Sequence, residues 1–299
     1  MARFVDGPVR VRVPASSANL GPGFDALGLA LDLHDELEAE VLAEGLEIEV
    51  SGAGSGDVPR DESHLVVRSM RQAFAVLGAE PPGLRLRCDN VIPHSRGLGS
   101  SSAAIVAGLT LARALVRGGT LVLDDDALFR LAADIEGHPD NVAPVVHGGF
   151  VISGEEGGTW FAARSAVDPR VSAVVFVPPD PVSTDVARGL LPGQVPHARA
   201  AANGGRAALL VAALAGQPEL LHTATRDFIH QDYREPAMPE SLALVRALRA
   251  DGWAAVVSGA GPTVLAFTDS STAEELAGRC PTGWLTRHLA IDRVGCHTL

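Results

Sequence analysis

The chain has 299 residues, 46% of them hydrophobic and 20% charged, with a formal net charge of −12. That length and composition fit one large or two ordinary globular domains and exclude a disordered chain. The negative charge argues against general binding to nucleic acid or to an anionic membrane, and no apolar run reaches the length of a bilayer span, so the expected location is the cytoplasm. Cys88, Cys280 and Cys296 are odd in number and far apart, which suggests neither a disulfide framework nor a zinc site. All 24 residues counted as Lys or Arg are arginine. Without lysine the chain cannot carry a pyridoxal Schiff base, a Walker A loop or the strand lysine of a protein kinase.

In chain order, residues 9–14 (VRVRVP) alternate like a strand and run into ASSANLGPGFDALG, 15–28. There, short hydroxyls, an Asn, Gly and Pro and a lone Asp crowd a stretch that reads as neither ordinary core nor ordinary turn. Residues 84–88 alternate as another strand. The loop PHSRGLGSSSAA, 93–104, leads into a largely buried helix over 100–119, closed by two glycines. Another helix is expected over 124–137, then strands at 150–153 and 171–177. The boundary falls between about 155 and 170, giving domains 1–160 and 161–299 with a cleft between them. The second half offers helices near 199–215, 217–229 and 240–250, a hairpin around SGAGPT, a helix near 272–279 and a final strand. Alternating β-branched runs and Ala/Leu-rich helices make this a mixed α and β protein.

Three clusters carry chemistry. Gly97 and Gly99 let the backbone turn tightly ahead of a helix whose unpaired N–H groups and positive dipole end suit a phosphate. Ser100, Ser101 and Ser102 add hydroxyls for a phosphate oxygen or a metal. The loop is not a dinucleotide fingerprint, because no carboxylate stands roughly 20 residues on. SGAGPT, 258–263, is a second Gly-rich turn, and EGHPDNVAP, 136–144, is a polar cluster. Glu136 there ends its helix, where the dipole disfavours a carboxylate.

With these three motifs in this order, the chain resembles the GHMP small-molecule kinases. Pro93, Gly97, Leu98, Gly99, Ser100, Ser101 and Ala103 are similar to the family's P-x-x-x-G-L-G-S-S-x-A loop, and the turn holding Gly259 and Gly261 is similar to its last motif. VPASSANLGPGFDALGLAL and EGHPDNVAP look specifically like the homoserine-phosphorylating branch. The resemblance implies an α+β fold of two domains, the first like ribosomal protein S5 domain 2 and the second ferredoxin-like. It implies transfer of the ATP γ-phosphate to the hydroxyl of L-homoserine, with Mg²⁺ on Ser101 and Glu136, and a homodimer as a family trait. Another small-alcohol kinase and a non-catalytic nucleotide-binding regulator of the same fold are the alternatives.

The substrate is a zwitterion, so it needs a carboxylate for its ammonium and a guanidinium for its carboxylate. Asp25 and Asn19 fit the ammonium and hydroxyl, while Thr184, Arg188 and Arg234 match family positions for the carboxylate. His138, beside Asp140, is expected to position the substrate hydroxyl. Asn141 stands where relatives place a base, and an amide cannot accept a proton. The hydroxyl proton is therefore expected to pass to the γ-phosphate with Asn141 orienting the hydroxyl, although Asp140 could also serve as base. Arg96, Ser102 and the loop amides are expected to face the phosphates. His64 stands where the family's adenine-side helix usually has Asn, and it is expected to meet the base.

Overall fold

The structure, a computed structural model, describes residues 3–299. Period-two patterning builds the first sheet. β1 (Val9–Asn19) and β2 (Gly23–Leu42) bury Val11, Val13, Leu29, Leu31 and Leu37. After β3 (Gly45–Gly52), helix α1 (Leu65–Val76) crosses over to β4 (Gly83–Asn90), so β3 and β4 pair in parallel. Across β1, β2, β4 and β3 the outer face carries the row Arg10, Glu38, Arg87, Glu49, opposite charges side by side. That row keeps the edge strand β3 from presenting an apolar template.

The inner face is covered by α2 (Ser100–Leu115) and α5 (Pro139–His147), with α3 (Gly119–Val122) and α4 (Asp125–Glu136) alongside. α2 is apolar almost all round because it is buried almost all round. β5 (Phe150–Glu156) then pairs with β2, and β6 (Thr159–Ser165) with β5. The stretch 15–28 is strand on both sides of a turn at 20–22, since β1 runs through Asn19 and β2 starts at Gly23. The polar cluster from 136 onward turns into α5, whose Pro139 stands at the first helical position, where no N–H bond is lost.

The chain passes to a second sheet over 166–171, after β6, which straddles residue 160. Its elements are β7 (Ser172–Val177), α6 (Thr184–Gly189), α7 (His197–Gly216), α8 (Leu221–Ala224), α9 (Pro239–Ala250), β8 (Ala254–Val257), β9 (Val264–Thr268), α10 (Ala273–Ala277) and β10 (Leu285–Leu289). The four strands pair antiparallel in the order β10-β7-β9-β8. Apart from its extra helices this is the βαββαβ arrangement of ferredoxin-like domains. β7 is buried on both faces. Val175 and Val177 join the core shared with the first domain, and Val174 and Phe176 join a second core under α9 and α10, which accounts for an unbroken apolar run.

The helix expected over 217–229 is not formed as such. A 3₁₀ turn at Pro218–Leu220 and α8 end it at Ala224. Beyond, the Asp227 carboxylate accepts the N–H groups of Ile229, His230 and Gln231 at 3.0, 3.1 and 2.7 Å, offering the backbone an alternative to helix. Finally Ile291 bridges to Leu31, and β11 (His297–Thr298) pairs with β1, so the chain ends on the first sheet. No helix among the described residues is long and apolar enough to cross a membrane.

Candidate active site

The loop after β4 enters α2 through Gly99, whose φ of +70° is left-handed. A Cβ there would lie 2.0 Å from Ser16 Oγ and 3.3 Å from Asn141 Oδ1, and one at Gly97 would lie 2.3 Å from the Ser258 carbonyl oxygen. Only glycines allow this loop to press on β1, α5 and the second Gly-rich turn together. Ser258 Oγ reinforces the contact, donating to Gly97 O at 2.6 Å. The first bond within α2 runs from Ala103 N–H to Gly99 O. The amides of Ser100, Ser101 and Ser102 precede it and point out at the positive end of the helix dipole. Leu98 and Ala103 are buried anchors under the loop, and Pro93 is half-buried at its start.

A cavity of about 190 Å³ opens in front of these amides. Gly97, Gly99, Ser100, Ser101, Gly259 and Gly261 form one wall, and Glu136, His138, Asp140 and Asn141 another. Asn19 closes the floor, while Thr184, Arg188 and Arg234 reach in from the second domain. A second cavity, about 260 Å³, shares Ser95, Ser100 and Ser101 with the first and runs on to Asp35, His64 and His94.

The charges are paired unevenly. Asp25, at a φ of +55°, donates its N–H to Asn19 Oδ1 at 2.9 Å, and Asn19 Nδ2 donates to Gly259 O at 2.9 Å. So Asn19 holds the loop that aims Asp25. The Asp25 carboxylate accepts two bonds from Arg188, at 2.8 and 3.0 Å, across the interdomain cleft. Arg234 is 1% exposed and has no carboxylate partner among the described residues. Its Nη1 donates to Gly259 O at 3.0 Å, and its Nε is buried without any partner. Phe24 lies beneath both guanidiniums, at 5.7 Å from Arg188 and 5.5 Å from Arg234. Burial, followed by the like charge of Arg188, lowers the Arg234 guanidinium to about 10, so it stays charged at neutral pH. A buried cation without a counter-ion, on a cavity wall, calls for an anionic ligand.

On the opposite wall Ser101 Oγ and Ser102 Oγ donate to Glu136 Oε1 at 2.6 and 2.9 Å. Glu136 is the last residue of α4, with no basic side chain in that turn. A carboxylate and a hydroxyl side by side supply the one or two protein oxygens that Mg²⁺ takes when phosphates and water complete its shell, so these residues fit that ion. His138 Nδ1 lies 2.8 Å from Asp140 Oδ1. Burial works against the imidazolium, but the bond to Asp140 and the charges of Asp140 and Glu136 outweigh it and raise the His138 pKa. Asn141 Oδ1 accepts from Ser16 Oγ at 2.9 Å, which leaves its amide N–H groups for the cavity.

Arg96 does not reach the cavity. Its guanidinium donates to the carbonyls of His94, Pro178 and Pro179 and ties the loop to the second domain. Ser102 is buried and braces Glu136 from behind. His64 lines the second cavity with its Nδ1 buried and unpartnered, and burial lowers its pKa, helped by the charges of Arg60 and His94. Sequence reasoning missed Ser16 and Asp35, whose roles depend on how α5 packs on β1 and how β2 pairs with β4. It also missed Asn203 and His230, which hold the 20–22 turn by its Pro22 and Gly21 carbonyls at 2.7 and 2.6 Å.

Residues 64–149 match the family model of the GHMP kinases N terminal domain, and residues 209–284 that of the GHMP kinases C terminal. The chain is 57% identical to a homoserine kinase of Streptomyces coelicolor over 296 residues, which cover 99% of this chain and 96% of that protein. It is 50% identical to a homoserine kinase of Clavibacter michiganensis, over 96% of this chain and 92% of that protein. Among solved structures, a homoserine kinase from Cytophaga hutchinsonii superposes with a TM-score of 0.88 at 26% identity, covering 99% of both chains. A mevalonate kinase of L. major shares the fold, with a TM-score of 0.71 at 16% identity over 99% of this chain and all of that one. The glycine turn at the head of α2, the unpaired arginine and this likeness along nearly the whole length converge, and the chain belongs to the homoserine kinases of the GHMP kinase family.

Proposed function

We propose that this protein transfers the γ-phosphoryl group of ATP to the side-chain hydroxyl of L-homoserine, giving O-phospho-L-homoserine for threonine synthesis, with Mg²⁺ bound by Ser101 and Glu136. The observation that carries the substrate assignment is Arg234, a buried cation without a counter-ion on the cavity wall. The homoserine carboxylate takes its free edge, with Thr184 beside it. The ammonium takes Asp25, whose present partner Arg188 then turns to the same carboxylate. Both ends of a zwitterion are thus met by opposite charge before any chemistry begins.

The amides of Ser100 to Ser102 and the α2 dipole hold the phosphates of ATP at the cavity wall they form. Mg²⁺, when bound, neutralises charge on the phosphate oxygens. Asn141, its oxygen committed to Ser16, donates from its amide to the homoserine hydroxyl oxygen and aims a lone pair at the γ-phosphorus. The new O–P bond forms as the bond to the β-phosphate oxygen breaks, and the hydroxyl proton leaves to a γ-phosphoryl oxygen. Asp140, its Oδ1 bonded to His138 Nδ1, acts in this reading as a positioning residue. Asp140→Asn is accordingly expected to lower kcat less than tenfold, against the roughly 10² to 10⁴ of a lost general base, as read from steady-state rates on folded protein.

The functional reading is tested by ADP release from Mg-ATP with L-homoserine, L-threonine, L-serine, mevalonate and galactose. Release driven by L-homoserine and lost in Asp25→Ala is the expected result. Turnover driven by a different alcohol would discard the substrate, and ATP binding without turnover on the whole panel would point to a regulator.

A further inference from the structure

The nucleotide end of the cleft holds a carboxylate that the reaction above leaves unused. Asp35 lies within β2 and is only 6% exposed. Its Oδ1 accepts the backbone N–H groups of Val91 and Ile92 at 2.5 and 2.8 Å, and its Oδ2 has no partner among the described residues. Asp35 lines the 260 Å³ cavity together with His64, a side chain 5% exposed whose Nδ1 is buried without a hydrogen bond. Buried polar atoms without partners are rare and expensive in a native fold. A carboxylate brought into the interior with one oxygen left without a partner, on a residue that lines a cavity, marks a ligand with a donor edge.

The bland account is that Asp35 only braces the chain after β4. That role requires one oxygen, and an asparagine would fill it without bringing a charge into the interior. Burial raises the Asp35 carboxyl to about 6, opposed by its two backbone bonds and by His34 and reinforced by Asp89. It is therefore mostly ionised at neutral pH, an acceptor with no proton to give.

We propose that Asp35 reads the 6-amino edge of the purine, its Oδ2 accepting from the exocyclic amine beside the His64 ring, so that the cavity selects adenine against 6-oxopurines. This rests on the nucleotide reading of the cavity given above. A 6-oxo group would set its lone pairs against the carboxylate, and a site built to accept a hydrogen bond rejects an analogue that cannot donate one. Because Oδ1 is held by two N–H donors, Asp35→Asn keeps its carbonyl there and turns its amide nitrogen to the free position. The acceptor becomes a donor, and the preference between amino and oxo edges reverses.

The test is equilibrium binding of ADP, inosine diphosphate and the unsubstituted purine riboside diphosphate to the full-length protein, with Mg²⁺ at pH 7.5, by calorimetry. For the wild type the expected order is ADP, then the unsubstituted purine, then inosine diphosphate, the extremes at least about tenfold apart. In Asp35→Asn, checked for folding by thermal melting, inosine diphosphate is expected to bind more tightly than ADP. Wild-type affinities for ADP and inosine diphosphate within twofold of each other would overturn the proposal without need of any variant. A folded variant that keeps the wild-type ratio would also overturn it, leaving Asp35 as a brace. Failure of every nucleotide to bind would overturn both this proposal and the reading beneath it.

Discussion

Arg234 is where function and stability pull apart. Arg234→Met removes a desolvated charge that has no carboxylate partner among the described residues, so the melting temperature is expected to rise. The same change removes charge-assisted bonds of about 1.5–3 kcal/mol to the substrate carboxylate, which predicts a KM for L-homoserine raised about 10- to 150-fold. Initial rates and thermal melting on one preparation check both halves. Asp35 makes a parallel case in its pH dependence. Burial holds its carboxyl at about 6, above the ordinary 3.8, so the folded chain binds that proton more tightly than the unfolded one. Stability referable to Asp35 is then full below about pH 4 and lost as pH rises through about 6. Asp35→Asn is expected to melt with the wild type near pH 4 and above it beyond pH 6, which melting across that range reads directly. Of these residues, Asp25, Arg188, Arg234, Ser101 and Glu136 were legible in the sequence because they stand in motifs. Asp35 and Ser16 were not, because their partners lie 56 and 125 residues away, the first brought in by the pairing of β2 with β4 and the second by the packing of α5 on β1. Arg96 shows the converse: its letters sit in the phosphate loop, but its donors find carbonyls 82 residues on.

Elements fix the site by pressing two glycine turns face to face. A Cβ at Gly97 would meet the Ser258 and Gly261 carbonyl oxygens at 2.3 and 2.8 Å, from a residue whose φ is +76°. Both neighbours are backbone, so the turns themselves must separate. Gly97→Ala is expected to cost about 1–3 kcal/mol of stability and to weaken ADP binding in parallel, measured by denaturant titration and calorimetry. The periodic elements were legible: α4, α9 and the β8–β9 hairpin fall where hydrophobic spacing puts them, whereas α2 starts as expected but stops at Leu115, and the two glycines expected to close it open α3 instead. β2 was hidden because its pairing with β1 shifts register at two places, which breaks a simple alternation. α5 was hidden by Pro139 and Pro144, which read as breakers, although one starts the helix and the other lies within it.

At the scale of the molecule the sequence pointed to two domains and a cleft, but not to the chain's return to where it began. Two-residue pairing at β11 leaves no pattern to read. Yet Val11 pairs with Thr298, Leu299 N–H donates to Arg10 O, and Asp292 accepts from His34 at 2.8 Å and from the amides of Val294 and Gly295. A chain stopped after residue 290 would lose the buried Ile291 along with these bonds. It is expected to be less stable by at least about 2 kcal/mol, as measured by denaturant titration. The contact between Gly97 and Ser258 carries the same topology into biosynthesis. The glycine loop before α2 is made early, and the turn that shapes it follows 161 residues later. A growing polypeptide can assemble most of its first sheet early, but it cannot close its nucleotide site until the second Gly-rich turn has emerged. Catalytic competence is thereby reserved for chains whose synthesis has passed that turn.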